Sequence, residues 1–530
     1  MNITPFKLIC MSSFFLVTFY NQSFFKAVLN SYPLSWKTAG FISSLTIALF
    51  CFIVLLLTLL SAKKTLKISI ISLLMISSFS SYFMDSYHLV IDDNMIQNII
   101  ETNLNESLDL FSFNLVLYTV LLGILPAIFI VKVNIQHHSL KIECIHKLKV
   151  IIGVLVISLI LFFSFSKAYL SFIREHKPIR YYINPLYYLY STGQYINRLT
   201  QKKELAFKKI SQNAQTPITD NDRELVILVV GETARADRFS FNGYHRETNP
   251  LLKKERIINL PNMSSCGTST ATSVPCLFSV FTRENYEANK AFSTENVLDV
   301  LQHAGASVLW RDNNSDSKGV ALRVPYEDYK TPQTNTICDS ECRDEGMLVG
   351  LQAHINKTTN KDILIVLHQM GSHGPAYYKR YPKRFEKFKP VCKTNQLEQC
   401  TTDEINNAYD NTILYTDYFL SKVIALLKQN SAEFETAMFY VSDHGESLGE
   451  KGLYLHGLPY FMAPKEQTHV ASLLWFGKNY KIEIDNLKKE VTQAYSHDHV
   501  FHTLLGLMET KISVYDKNLD IIGNHQHHYH

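Results

Sequence analysis

The sequence predicts a multi-pass α-helical membrane domain of five transmembrane helices followed by an exported α/β/α sandwich, and three features predict it. Apolar residues crowd into the first third of the chain. The cysteines divide between a membrane part and an exported part, and beyond residue 221 short apolar runs alternate with segments of helix length. With 530 residues, 46% of them hydrophobic, and a net charge of only +4, the chain is long enough for more than one domain, and no nucleic-acid partner is expected.

Ala39 to Ala62 and Leu110 to Val131 are long enough to cross roughly 30 Å of hydrocarbon at about 1.5 Å per residue. Leu8 to Phe25, Ile68 to Met84 and Val150 to Ser166 are uncharged and at the lower end of spanning length, which makes five helices. Lys63, Lys64 and Lys67 fill one short loop, and Lys132, Lys141, Lys147 and Lys149 fill another, so those loops face the cytoplasm. The loop from Asp85 to Asp109 carries Asp92, Asp93, Glu101 and Glu106 without Lys or Arg and belongs outside. An odd number of crossings then exports everything after about residue 170. A cleaved signal peptide is the rival reading of the first segment, but no small-residue cleavage site follows Tyr20.

Cys10, Cys51 and Cys144 lie in the membrane part, whereas Cys266, Cys276, Cys338, Cys342, Cys392 and Cys400 lie in the exported part. Pairing by proximity, 266 with 276, 338 with 342 and 392 with 400, is the simplest of fifteen connectivities in an oxidising compartment. Zinc-binding thiolates are the alternative, without the usual C-x₂-C spacing. Ile173 to Leu205 interleaves tyrosines with Arg174, Lys177, Arg180 and Arg198, a mixture suited to a membrane interface, and Asn213 to Asn221 reads as a linker. The expected divisions are 1–172 membrane domain, 173–220 bridge and linker, 221–524 catalytic domain and 525–530 His-rich tail.

In the exported part, Leu225 to Val230, Ser307 to Trp310, Asp362 to Leu367, Ala437 to Val441 and Ser472 to Phe476 read as strands of a mostly parallel sheet covered on both faces. Ligands gather at the carboxyl ends of such strands. There stand Gly231-Glu-Thr-Ala-Arg235, then His368 and His373, then Ser442-Asp-His-Gly445. Cys266-Gly-Thr-Ser-Thr-Ala-Thr-Ser-Val-Pro-Cys276 is a hydroxyl-rich loop opening a helix, either an anion site with a nucleophile or a capped helix start with a structural disulfide. An acidic residue, an Asp-His pair and a threonine-rich loop meeting at one sheet edge make a hard-cation site. Zinc accepts such oxygen and nitrogen ligands, and a threonine hydroxyl on it loses its proton more readily.

Gly231-Glu-Thr-Ala-Arg-Ala-Asp-Arg238, Ser265-Cys-Gly-Thr-Ser-Thr-Ala271 with Pro275-Cys276, and Val441-Ser-Asp-His-Gly-Glu-Ser-Leu-Gly449 resemble the lipid A phosphoethanolamine transferases of the alkaline phosphatase superfamily. Leu309 to Gly319, His368 to Tyr377 and Tyr454 to Pro459 make it most similar to their mobilised colistin-resistance branch. The resemblance implies an alkaline phosphatase/sulfatase-type fold, Thr270 as nucleophile, and Glu232, Thr270, Asp443 and His444 as a tight zinc site. It implies that His373 and His456 serve a second zinc or proton transfer, and that Lys318, Asn314 and Ser315 hold the phosphoethanolamine group. Asn98, Thr102 and Glu106 match residues near the lipid headgroup, and their spacing of four would put them on one helical face. Ser317 and Ala321 stand where many relatives have cysteines, so a clip around Lys318 is not expected.

The implied reaction is transfer of phosphoethanolamine from phosphatidylethanolamine to lipid A through a phosphothreonine-type intermediate, releasing diacylglycerol and conferring polymyxin resistance. A monomer in the bacterial inner membrane, with its catalytic domain in the periplasm, is expected. A sister enzyme acting on another envelope lipid or glycan is the alternative. A sulfatase would need a Cys/Ser-x-Pro-x-Arg motif, which the loop at Thr270 lacks, and a degenerate binding module would have lost a ligand, whereas all four are present. His497-Asp-His499 reads as helix capping and packing, and Asn524 to His530 as a solvated tail.

Overall fold

The computed structural model describes residues 2–102, 104–200, 205–216, 222–359 and 361–525, the side chains of 104–106 excepted. The chain divides into two compact units, Met1–Ile99 with Phe111–Leu199, and Ile100–Leu110 with Thr200–His530. The tyrosine-rich helix Leu186–Thr200 therefore falls almost wholly in the first unit, and a short stretch of the loop between two spans falls in the second.

In the first unit, Trp36–Leu60, Leu66–Tyr87, Phe113–Lys132 and Leu140–Ser164 are long and apolar enough to cross a membrane. The first expected span is not one straight helix. Pro5–Tyr20 and Gln22–Ser31 meet at 61°, and the pair makes a fifth span only if taken together. The break falls at Asn21, whose amide donates to the carbonyls of Leu16 (3.0 Å) and Asn184 (2.8 Å) while its Oδ1 accepts from the Asn184 N–H (2.9 Å). A side chain with such partners competes with the helix ladder. The span Phe113–Lys132 contains a π-helical stretch, Thr119–Ile124, just before Pro126. Proline has no N–H for the carbonyl four residues back, and Tyr20 Oη donates to that Leu122 carbonyl instead. Within Leu140–Ser164 only Val154 is buried, leaving Leu148, Ile152, Leu155 and Leu159 outward as a lipid-facing helix requires.

The loop expected to present Asn98, Thr102 and Glu106 on one helical face is instead two helices, Asp93–Glu101 and Leu104–Asp109. The first helix ends at Glu101 and Thr102 lies beyond it, so no single helical face carries Asn98, Thr102 and position 106. Asn98 and Thr102 are half-buried, and the Glu106 side chain lies outside the described residues.

The second unit is built on a seven-stranded sheet. In chain order its strands are β1 Glu224–Gly231, β2 Ile258–Asn259, β3 Ser307–Asp312, β4 Tyr326–Asp328, β5 Ile363–His368, β6 Glu435–Ser442 and β7 Ser472–Phe476. Their spatial order is β2-β7-β6-β1-β5-β3-β4. β6, β1, β5, β3 and β4 run parallel, whereas β7 is antiparallel to β6 and β2. Every residue of β1, β5 and β6 is buried, which is why these strands read as unbroken apolar runs. Val226, Leu228 and Val230 join Leu298, Trp310, Phe439 and Phe501 in a core on one side, and the 29-residue helix Thr402–Asn430 packs against β6. The two short edge strands, β2 and β4, carry too few residues to show a sequence pattern.

The six cysteines of the second unit pair as expected, Cys266–Cys276, Cys338–Cys342 and Cys392–Cys400. Among the linker residues, 217–221 lie outside the described part, as do 526–530 of the tail. His525 is not part of a solvated tail: it is buried, with Nε2 3.1 Å from Glu490 and its carbonyl accepting from Glu483 N (2.9 Å).

Candidate active site and metal centre

Register assembles the site. Gly231 pairs with Ser442, so Glu232 and Asp443 leave neighbouring strands side by side. Val230 pairs with His368, and His368 with Asp312, which brings Asn314 to the same edge from β3. Thr270 is the first residue of the helix Thr270–Leu277, after Ser269 in extended conformation. Its hydroxyl donates to Glu232 Oε2 (3.1 Å) and lies 3.3 Å from His444 Nε2. His444 Nε2 is in turn 3.5 Å from Glu232 Oε1 and 3.3 Å from Asp443 Oδ2.

These four side chains are buried, and their donor set fits a metal ion. Burial pushes His444 well below the usual histidine range, as do the neighbouring His456 and His497, although its bond to Gly445 works the other way. The ring is therefore neutral. Nδ1 donates to the Gly445 carbonyl (2.9 Å), leaving the Nε2 lone pair toward Glu232, Asp443 and Thr270. Asp443 Oδ1 accepts from Thr233 N (3.1 Å) and His444 N (2.7 Å), whereas the buried Oδ2 accepts no hydrogen bond among the described residues. Lone pairs of an imidazole and two carboxylates converging in a buried space call for a cation, and mixed nitrogen and oxygen donors suit zinc.

Several residues that hold this arrangement are not among the expected ligands or catalytic groups. Ser442 Oγ accepts from Ala234 N (2.7 Å), and Tyr409, from the long helix, accepts from Arg235 N (3.0 Å), so the turn after β1 is clamped from two sides. Gly371 has φ 51°, and a Cβ there would stand 2.8 Å from the Glu232 carbonyl, so the chain passes closer to the ligand than another residue allows. His497 is buried packing, as expected, but makes no side-chain helix cap. It accepts from Cys266 N at Nδ1 (3.1 Å) and donates from Nε2 to the Ser442 carbonyl (2.9 Å), tying the Thr270 loop to the end of β6.

Asn314 is engaged within the protein. Its amide donates to Glu232 Oε2 (2.7 Å) and to the Gln369 carbonyl (2.7 Å), so both amide hydrogens are occupied within the protein. Asn314 thus supports the Glu232 carboxylate from beside the cluster that could hold a metal ion. Lys318 is half-buried in a left-handed conformation (φ 48°), with Nζ 3.2 Å from the Ser315 carbonyl. Close to this lysine, Ser317 Oγ accepts a hydrogen bond from Ala321 N (3.2 Å).

The His373 and His456 rings lie 5.8 Å apart, and His456 is 4.3 Å from the His444 ring, so all three border one site. His456 Nδ1 bonds to the buried Glu446 (2.7 Å), which also accepts from Tyr377 Oη (2.7 Å). Burial holds His373 well below the histidine range, with the charges of Arg380, His456, His444 and Lys318 acting in the same sense. Glu446 follows Asp443-His444 in sequence, but only the fold shows that it orients His456.

A buried acid–histidine cluster at the carboxyl ends of a mostly parallel sheet, with a hydroxyl at a helix start beside it, defines an enzyme of the alkaline phosphatase and sulfatase type, here attached to membrane spans. A sulfatase family model matches residues 224–510, and a model for the phosphoethanolamine transferases EptA/EptB matches residues 49–200. Phosphatidylethanolamine transferase Mcr-1 of Escherichia coli is 41% identical over 96% of this chain and 95% of its own. Phosphoethanolamine transferase EptA of Escherichia coli K12 is 38% identical over 97% and 95%. The integral membrane protein lipooligosaccharide phosphoethanolamine transferase A from Neisseria meningitidis superposes with a TM-score of 0.94 at 34% identity, covering 98% of each chain. The chain belongs to the phosphoethanolamine transferase family, and it is a multi-pass membrane protein with a C-terminal soluble domain.

Proposed function

We propose that this enzyme moves phosphoethanolamine from phosphatidylethanolamine to a lipid A phosphate in the periplasm of the inner membrane, through a covalent intermediate on Thr270. The observation that carries the reading is the Thr270 hydroxyl, held between Glu232 Oε2 and His444 Nε2 in a buried metal-binding cluster. Glu232, Asp443, His444 and Thr270 would hold zinc, which when bound lowers the proton affinity of the threonine hydroxyl.

Thr270 Oγ attacks phosphorus, a new O–P bond forms, and the bond to the glycerol oxygen breaks. Glu232, which already accepts the Thr270 hydrogen bond, is placed to take its proton, and the departing diacylglycerol oxygen gains one. In the second half an oxygen of the lipid A phosphate attacks the same phosphorus and Thr270 leaves with its proton restored. His456, oriented by Glu446, and His373 supply proton transfer on the acceptor side, and Lys318 offsets phosphate charge. The product bears an ammonium where only anionic charge stood, so cationic polymyxins bind the surface less.

Mass spectrometry of the enzyme after incubation with phosphatidylethanolamine tests this. A phosphoethanolamine adduct on Thr270 is expected, absent in Thr270→Ala, together with loss of colistin resistance in cells making normal amounts of that variant. Retained resistance in Thr270→Ala would overturn the reading.

A further inference from the structure

The segment Ile100–Leu110 is the one piece of sequence between two membrane spans that belongs to the second unit. Its residue Asp109 is buried, and its carboxylate and main-chain carbonyl both find partners in that unit. The Asp109 carboxylate accepts from Lys379 Nζ (2.5 Å) and from Arg380 Nη2, and its main-chain carbonyl accepts from Asn395 Nδ2 (2.6 Å). Asn395 lies inside the Cys392–Cys400 clip.

Arg380 is equally buried and makes three directed bonds: Nη2 to Asp109, Nη1 to Glu341 inside the Cys338–Cys342 clip, and Nε to the His373 carbonyl (2.7 Å). A guanidinium is planar, so two carboxylates that fix its terminal nitrogens also aim the third N–H. That N–H is what holds the His373 main chain. The ring gains no orienting bond at Nδ1, which is buried and has no hydrogen-bond partner among the described residues. The place of the His373 ring therefore depends on its backbone, where N–H donates to Met370 O (3.3 Å) and C=O is held by Arg380.

We propose that Asp109 is a positioning residue for His373, acting through Arg380, an inference that rests on the transfer reaction proposed above. Without the Asp109 charge the buried guanidinium keeps one carboxylate partner instead of two, and its plane is free to turn away from the His373 carbonyl.

The test uses the full-length enzyme in lipid with phosphatidylethanolamine and lipid A. Asp109→Asn is expected to lower kcat at least tenfold, with KM for the donor changed less than twofold and metal content unchanged. Arg380→Lys keeps a cation for Asp109 and Glu341 but has no Nε–H to aim, and is expected to match that loss while melting near wild type. In a His373→Ala background, Asp109→Asn should cost less than a further twofold, because the group through which it acts is gone. A kcat for Asp109→Asn within twofold of wild type overturns the proposal, as does an undiminished tenfold loss in the His373→Ala background. If Asp109→Asn does not accumulate as folded protein, Arg380→Lys is judged by the same two limits. Amide exchange across Gly371–Tyr377 is read in parallel and does not depend on the reaction. Should wild type form no Thr270 adduct, the functional reading fails, and faster exchange in Asp109→Asn still supports the clamp whereas unchanged exchange overturns it.

Discussion

Asn314 and Lys318 stand four residues apart in one motif, and the structure gives them different surroundings. Asn314 donates to a carboxylate of the metal cluster, so Asn314→Ala should weaken metal binding by about ten- to a hundredfold, the usual effect of losing a partner that orients a ligand. Lys318 touches no ligand atom among the described hydrogen bonds; its charge reaches His373, and Lys318→Ala should raise KM for the phospholipid donor while leaving metal content unchanged. Metal analysis of the two purified variants, with donor titrations on each, separates the roles. Equal metal content in both would mean that Asn314 does not support Glu232. The motif Leu309 to Gly319 made both residues visible in the sequence. What it could not show is which way an amide turns, because that is decided by Glu232 and Gln369, 82 residues before and 55 after it in the chain. The same holds for Asp109, an unremarkable carboxylate at the end of an acidic loop until Arg380 is folded against it.

At the scale of elements, strands were legible because both faces of the sheet are covered and each central strand is an apolar run with a polar residue just past its end. Long spans were legible by length. Breaks inside spans were not: Asn21 and Pro126 distort their helices through partners at Asn184 and Tyr20 that no local window contains. The C-terminal helix Asp498–Leu507 shows a further element effect, because the Asp520 carboxyl is packed so closely on Gly506 that no Cβ fits there. Burial pushes Asp520 up to about 7, against the hydrogen bonds from Ile522 N, Tyr515 Oη and Thr503 and the charge of Lys517. A carboxyl whose folded value is raised from 3.8 to about 7 binds more protons folded than unfolded between those values. Stability of the second unit should therefore fall as pH rises from about 4 to 7 and level off above, by on the order of 4 kcal/mol from this group. Asp520→Asn should remove much of that slope and raise stability at pH 8, read as denaturant midpoints at pH 5 and pH 8. A slope unchanged by the substitution would show that Asp520 is ionised throughout.

For the whole molecule, the division of the chain into a unit of membrane-length helices and a unit that carries the candidate active site raises the question of what the second unit does alone. A chain beginning at residue 222 contains Glu232, Thr270, Asp443 and His444 on an intact sheet, together with all three disulfides. It should bind one equivalent of zinc tightly and accept phosphoethanolamine on Thr270 from a small soluble ester. It lacks residues 100–110, however, and with them the Asp109 bond to Arg380. Its turnover should therefore be slow even on a soluble ester, by about the factor that Asp109→Asn costs the full-length enzyme. Two bilayer lipids add a second deficit, since attachment to the membrane keeps enzyme and lipid together at roughly millimolar effective concentration, which a free domain loses. Adding back a peptide spanning residues 99–111 distinguishes the two deficits. Peptide should speed turnover of the soluble ester at saturating substrate while leaving bilayer lipids untouched. Full activity of the truncated chain on the soluble ester without peptide would show that His373 needs nothing from the membrane half of the sequence.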